Sequence, residues 1–201
     1  MLMNRDYTLI IDKSGSMSAT DQSEGKSRWE AVQESTLAVA RKIEKLDPDG
    51  LTVYLFAGRF KRYDNVTSDK VSQIFLENDP MGTTNLTDVL KDAFQSYFQR
   101  KAAGETQPEG EIIVVITDGA PNNPANVMRT IVDATQRMER DEELGVTFFQ
   151  IGSDAGATKF LKALDDELEG VGAKFDICDT VTFEEMENYS ILELLMKAIE
   201  D

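Results

Sequence analysis

The chain has 201 residues, 41% of them hydrophobic, enough for one domain whose core needs neither disulfides nor a structural zinc. Asp and Glu number 37 against 21 Lys and Arg, a net charge of −16, so nucleic acid gains nothing from counterion release and an anionic membrane is repelled. There is no histidine, which removes the commonest general base and zinc ligand.

Strand and helix signals alternate from end to end, which predicts an α/β fold: a Rossmann-like, doubly wound, mostly parallel central sheet with one short antiparallel edge strand and helices on both faces. Tyr7 to Ile11 is a short apolar run suited to a buried strand. From Arg28 to Leu46, Trp29, Val32, Thr36, Val39, Ala40 and Ile43 recur at helical spacing. Asp47-Pro48-Asp49-Gly50 breaks that helix, and Leu51 to Phe56 forms a second strand. Gly58 to Tyr63 reads as the edge strand, where Arg59, Lys61 and Arg62 discourage pairing with strangers. Helical signals follow from Val71 to Leu76 and from Leu86 through Tyr97. A polar loop precedes a strand at Ile112 to Ile116. Pro124 is placed to open a helix carrying Val127, Ile131, Val132, Ala134 and Met138. A strand at Val146 to Ile151, a helix at Ala157 to Leu168 and a strand at Ala173 to Cys178 come next. Phe183 to Ile199 is expected to close the chain as an amphipathic helix. No repeat, linker or low-complexity block divides residues 1–201, so one domain is expected.

No stretch reaches the roughly 18–20 apolar residues of a membrane span. Met1-Leu2-Met3-Asn4-Arg5-Asp6 lacks the apolar segment of a secretory signal. The single Cys178 forms no intramolecular disulfide and reads as a small buried apolar residue. A cytoplasmic, monomeric protein is the expectation.

The most informative residues are Asp12-Lys13-Ser14-Gly15-Ser16, which follow the first strand directly. One carboxylate and two hydroxyls surround a common point there. Strand 112–116 ends in the same way at Thr117-Asp118-Gly119. Between them, Gly82-Thr83-Thr84-Asn85-Leu86 is a glycine turn with a hydroxyl at the start of a helix. Loops of this kind meet at the carboxyl edge of a parallel sheet, where open α/β folds build their sites. Oxygen-only ligands suit a hard divalent cation such as Mg²⁺. Gly15 and Gly119 are expected to let the chain turn sharply beside the ion. Taken singly, each residue also has an ordinary role: an aspartate at a strand end caps a turn, and Ser or Thr caps a helix. Asp88 reads as a dipole partner of the helix it opens.

In their order and spacing, Asp12-x-Ser14-x-Ser16, Thr84 in Gly-x-Thr-Asn-Leu and Asp118 in Thr-Asp-Gly resemble the von Willebrand factor A domain and its metal-ion-dependent adhesion site. The resemblance runs from Arg5 to the last helix. Thr83 departs from it, standing where the family more often has a second glycine, and is expected to stiffen the Thr84 turn. The resemblance implies a metal site at Asp12, Ser14, Ser16, Thr84 and Asp118, with Mg²⁺ as the ion and Mn²⁺ or Ca²⁺ as substitutes. It implies a protein partner that supplies Glu or Asp to the metal, and no catalysis. In some members, metal ligation is coupled to a shift of the C-terminal helix, whose apolar face here would be Phe183, Met186, Leu192, Leu195 and Ile199. Stand-alone bacterial members accompany ATPases, chaperone-like machines, kinases or phosphatases in stress-response or defence systems, and with a lone cysteine and no apolar leader segment read at its start, this chain is expected to lie nearer to them than to secreted adhesion domains.

A rival reading is a Mg²⁺- or Mn²⁺-dependent phosphohydrolase using Asp12 and Asp118, but no nucleophile or phosphate cradle accompanies them. A purely structural cation site is the third. Gly25-Lys26-Ser27 imitates the end of a phosphate-binding loop, yet Thr20 stands where that loop needs glycine. The polar stretch Ser18 to Ser27 reads as either a surface connector or a partner-reading loop.

Overall fold

The computed structural model describes residues 5–45 and 50–181, together with Glu193. The turn expected at Asp47-Pro48-Asp49 and, apart from Glu193, the helix expected over Phe183 to Ile199 lie outside the described residues.

Six strands form one sheet in the order β3-β2-β1-β4-β5-β6: β1 Asp6–Asp12, β2 Leu51–Phe56, β3 Phe60–Val66, β4 Glu111–Thr117, β5 Leu144–Gln150 and β6 Cys178–Val181. All neighbours pair in parallel except β2 with β3, which run antiparallel. The chain leaves β1 for β2 on one side and later returns to β4 on the other. β1 and β4 are therefore adjacent, and their carboxyl ends open at the point where strand order reverses, the usual location of an α/β site.

The helices are α1 Arg28–Ile43, α2 Ser68–Leu76, α3 Leu86–Ala103, α4 Pro124–Thr135 and α5 Ala155–Glu167. Alternation along the strands sends Leu9, Ile11, Val114 and Ile116 to one face, where they pack with Val32, Val39 and Ile43 of α1 and Val71 and Phe75 of α2. Ile10, Ile113 and Val115 face the other way, against Leu90 and Phe94 of α3, Ile131 of α4 and Leu161 of α5. With both faces covered, the central strands read as unbroken apolar runs rather than alternating ones.

Three boundaries differ from the sequence reading. The edge strand starts at Phe60 and runs to Val66, leaving Arg59 in the hairpin turn, where its carbonyl accepts from the Ala57 N–H at 2.8 Å. The last strand begins rather than ends at Cys178. Lys174 is instead held to the end of α4: its N–H donates to Thr135 Oγ1 at 2.9 Å and its Nζ to the Met138 carbonyl at 2.7 Å. Phe175 packs on the core from outside the sheet, which explains why that stretch looks strand-like in sequence. Met138 is buried, but in the turn after α4. Cys178 is buried as expected, and burial pushes its thiol pKa well up. Among the described residues, no helix is long and apolar enough to cross a membrane.

Candidate functional site

β1 ends at Asp12 because Lys13 and Ser14 turn away from the sheet into a single 3-10 turn over Gly15–Ser18. The ladder still reaches Lys13, whose N–H donates to the Phe56 carbonyl at 2.8 Å. Met17, fully buried under this turn, anchors it to the apolar face shared with α1. β4 ends beside it, since Ile11 pairs with Ile116 and each strand runs one residue further, to Asp12 and Thr117; Asp118 follows directly.

These two strand ends bring four of the five expected residues into one hydrogen-bonded cluster. Asp12 is 0% exposed and Asp118 2%. The Asp12 carboxylate accepts from the Ser14 N–H at 2.7 Å through Oδ1 and from Thr117 Oγ1 at 2.8 Å through Oδ2. Asp118 Oδ1 accepts from Ser16 Oγ at 2.8 Å and from Ser14 Oγ at 3.4 Å, while the two serine hydroxyls lie 3.1 Å apart. Burial raises the Asp12 pKa to about 6, against the pull of its Ser14 and Thr117 hydrogen bonds and with a further push from Asp118. Thr117, read in the sequence only as a strand end, thus orients one of the two carboxylates.

Thr84 sits on the adjoining loop, joined to the cluster through main chain. Its carbonyl accepts from the Asn122 N–H at 2.9 Å and its N–H donates to Asn122 Oδ1 at 3.4 Å, tying it to the loop after Asp118. The Gly82 turn is tied to the loop after Asp12 by Gly15 N–H to Gly82 carbonyl at 3.4 Å and Met81 N–H to Lys13 carbonyl at 2.7 Å. Thr83 adds a link of its own, accepting from Asn122 Nδ2 at 3.4 Å. Asn85 caps α3 and its Nδ2 donates to Asp88 Oδ2 at 2.7 Å, so Asp88 serves the helix start. Neither Gly15 nor Gly119 takes a positive φ, and a Cβ at either would meet no protein atom within 4 Å, so neither position requires glycine for its backbone or its protein neighbours. The left-handed backbone falls at Gly82, φ +92°, and at Gly152, φ +78°.

The structure adds a residue that the motif did not reveal. Arg28, the first residue of α1, reaches the cluster and donates from Nη1 to Asp118 Oδ2 at 2.9 Å. Its Nε and Nη2 grip the Asp21 carboxylate, with Nε 3.0 Å from both oxygens. The stretch Ser18 to Ser27 therefore turns back to deliver Asp21 beside the site. Gly152 makes room, because a Cβ there would collide with the guanidinium. Gly152→Ala is expected to drive Arg28 off Asp118. The left-handed backbone adds a stability loss of about 1–2 kcal/mol, measurable as a lower denaturant midpoint. Lys26, the lysine of the apparent phosphate loop, is paired with Glu34 and Glu24, and Ser27 closes a capping box with Glu30.

Among the described residues, no group of three or more His, Cys, Asp or Glu side chains is placed to hold a metal ion. The cluster has two carboxylates and completes its oxygen set with hydroxyls, a donor set that fits a hard cation and not zinc or copper.

No curated protein matches the chain in sequence. Its fold is similar to that of the PilB minor pilin of Streptococcus sanguinis, solved as a D319A mutant (TM-score 0.62, 15% identity, 99% of this chain and 60% of that one). It is also similar to the manganese-loaded TRAP protein of Plasmodium vivax (TM-score 0.60, 16% identity, 98% of this chain and 74% of that one). A third likeness is proximal thread matrix protein 1 of the mussel byssus (TM-score 0.61, 18% identity, 96% of this chain and 47% of that one). The chain thus spans 60% of the pilin and about half of the byssus protein, and at these identities the likeness is one of fold. The family model for the von Willebrand factor type A domain matches residues 7–120, a span that includes both strand ends and the Thr84 loop. The chain belongs to the von Willebrand factor type A domain family.

Proposed function

We propose that this chain is a protein-interaction module that holds Mg²⁺, or Mn²⁺ or Ca²⁺ in its place, at Asp12, Ser14, Ser16, Thr84 and Asp118, and binds a Glu or Asp side chain of a protein partner there. One observation supports this above the others: Asp118 Oδ1 accepts from Ser14 and Ser16, so hydroxyls from the β1 loop and a carboxylate from the β4 end already share one small volume. A bound divalent ion would supply Lewis acidity toward an incoming carboxylate. The chain's own residues do the rest. Thr117 and the Ser14 N–H hold Asp12, the two serines hold Asp118, and Asn122 holds the Thr84 turn in register.

The module reading is preferred to an enzyme because histidine, the commonest general base, is absent from the sequence. A cytoplasmic setting accords with a lone, buried cysteine. Affinity capture in Mg²⁺ and in chelator, with the wild type and Asp12→Ala, tests the proposal. Partners retained by the wild type in Mg²⁺ and released by chelator support it. An identical set retained by Asp12→Ala in chelator refutes it, and turnover of a phosphodiester that Asp12→Ala abolishes would replace it with the hydrolase reading.

A further inference from the structure

Arg28 stands in an unusual place. It is the first residue of α1, where the helix dipole disfavours a cation, and the helix start is already satisfied by the Ser27–Glu30 capping box. Helix formation does not explain it. Its side chain is 13% exposed, and the guanidinium bridges Asp118, whose side chain is 0% exposed, and Asp21, whose side chain is 44% exposed. Asp21 holds Arg28 more extensively, but water partly screens its charge and does not screen that of Asp118, so part of the positive charge of Arg28 is left to act on the buried carboxylate. Gly152 keeps the space beneath the guanidinium clear.

Resting on the metal-site reading above, we infer that Arg28 sets the charge of the site, offsetting one of its two buried carboxylates so that a divalent ion leaves the buried cluster with one net positive charge. Asp12, Asp118 and Arg28 sum to one negative charge; a divalent cation turns this to one positive. Without Arg28 the same cation would be neutralised, and an acidic side chain would meet a site with no net attraction. Arg28 thus exchanges metal affinity for attraction toward an anionic partner. It also fixes the rotamer of Asp118, since Oδ2 faces the guanidinium and Oδ1 is left for the serines. Asp21 tunes the arrangement from the solvent side. This gives the Ser18 to Ser27 stretch a task beyond connecting two elements.

The test is calorimetric titration of Mn²⁺ into the wild type, Arg28→Gln, Arg28→Lys and Asp21→Asn, with melting curves in chelator and in saturating Mn²⁺. Arg28→Gln is expected to bind Mn²⁺ about tenfold more tightly, because a repelling charge is gone. Arg28→Lys, which keeps the charge, should stay within about threefold of the wild type, and Asp21→Asn should bind two- to threefold more weakly, order-of-magnitude expectations for a partly screened charge. In chelator Arg28→Gln should melt below the wild type, its Asp118 having lost a partner, and saturating Mn²⁺ should narrow that gap. A purely structural arginine would leave the gap unchanged. Equal or weaker Mn²⁺ binding by Arg28→Gln overturns the inference. Should that variant fail to fold, Asp21→Asn decides: equal or tighter binding overturns it. No heat of binding from the wild type refutes the metal-site reading itself, and this inference with it.

Discussion

Replacing Asp12 with asparagine is expected to weaken cation binding severely while making the chelated protein more stable. The carboxylate is fully buried, and burial lifts its pKa from 3.8 to about 6. A folded-state value above the unfolded one means that the group favours folding most below the unfolded value. That contribution is lost as pH rises through about 6. At pH 7 the metal-free wild type therefore carries a buried charge costing, as an upper bound, about 3 kcal/mol. Asparagine removes that cost and keeps the Ser14 N–H bond, so the chelated variant should unfold at a higher denaturant midpoint than the wild type at pH 7. The two should converge below about pH 3, where both states of the wild type are largely protonated. Mn²⁺ affinity should fall by roughly a hundredfold or more, since one of the two charged ligands is gone. A variant that loses stability in chelator would show that Asp12 is held for the fold and not for an ion.

The second large effect is expected at the opposite end of the sheet. Glu111 opens β4 almost completely buried, and its carboxylate is bound by Arg100 of α3 and by Thr8 Oγ1 at 2.6 Å. Arg100 also donates to Asp6 Oδ2 at 2.6 Å. Arg100→Ala strips a buried carboxylate of its cation, a change that typically costs about 3–5 kcal/mol. The loss should depend on pH in a defined direction. Burial raises the Glu111 pKa, and Arg100 pulls it back down, so deleting Arg100 lifts it further. Stability tied to a raised carboxylate pKa is lost as pH rises through the folded value. The deficit should thus be largest at neutral pH and should shrink toward about pH 4, measured by urea unfolding. Mn²⁺ affinity should be untouched, because Glu111 and the Asp12 cluster lie at opposite ends of the strands.

Much of this was legible in the sequence, and the parts that were not share a cause. The strands at the centre could be read because β1 and β4 are covered on both faces and so present unbroken apolar runs that end abruptly at aspartates. The Asp12-x-Ser14-x-Ser16 spacing is local, and a local turn fixes it. Arg28 was hidden because its meaning depends on Asp118, far away in the chain, and on the empty space at Gly152. The one signal available was electrostatic: a cation at the first position of a helix, where the dipole argues for an anion. Thr117 was hidden for a similar reason, its hydroxyl looking like strand-end punctuation until Asp12 is placed beside it. The last strand was misplaced because Phe175 supplies hydrophobicity without joining the ladder, whose first bond runs from the Val146 N–H to the Ile177 carbonyl and whose pairing starts at Cys178.

The Gly82 turn is laced to the loops on either side of it by backbone groups: Gly15 to Gly82, Met81 to Lys13 and Asn122 to Thr84. Peptide bonds are common to all sequences, so this scaffolding is largely indifferent to which side chains project from it. Met81, 63% exposed on the rim, can accordingly be exchanged while the oxygen cage beneath stays in register. Such a division lets evolution, or an engineer, rewrite whom the rim greets without redrafting the chamber below.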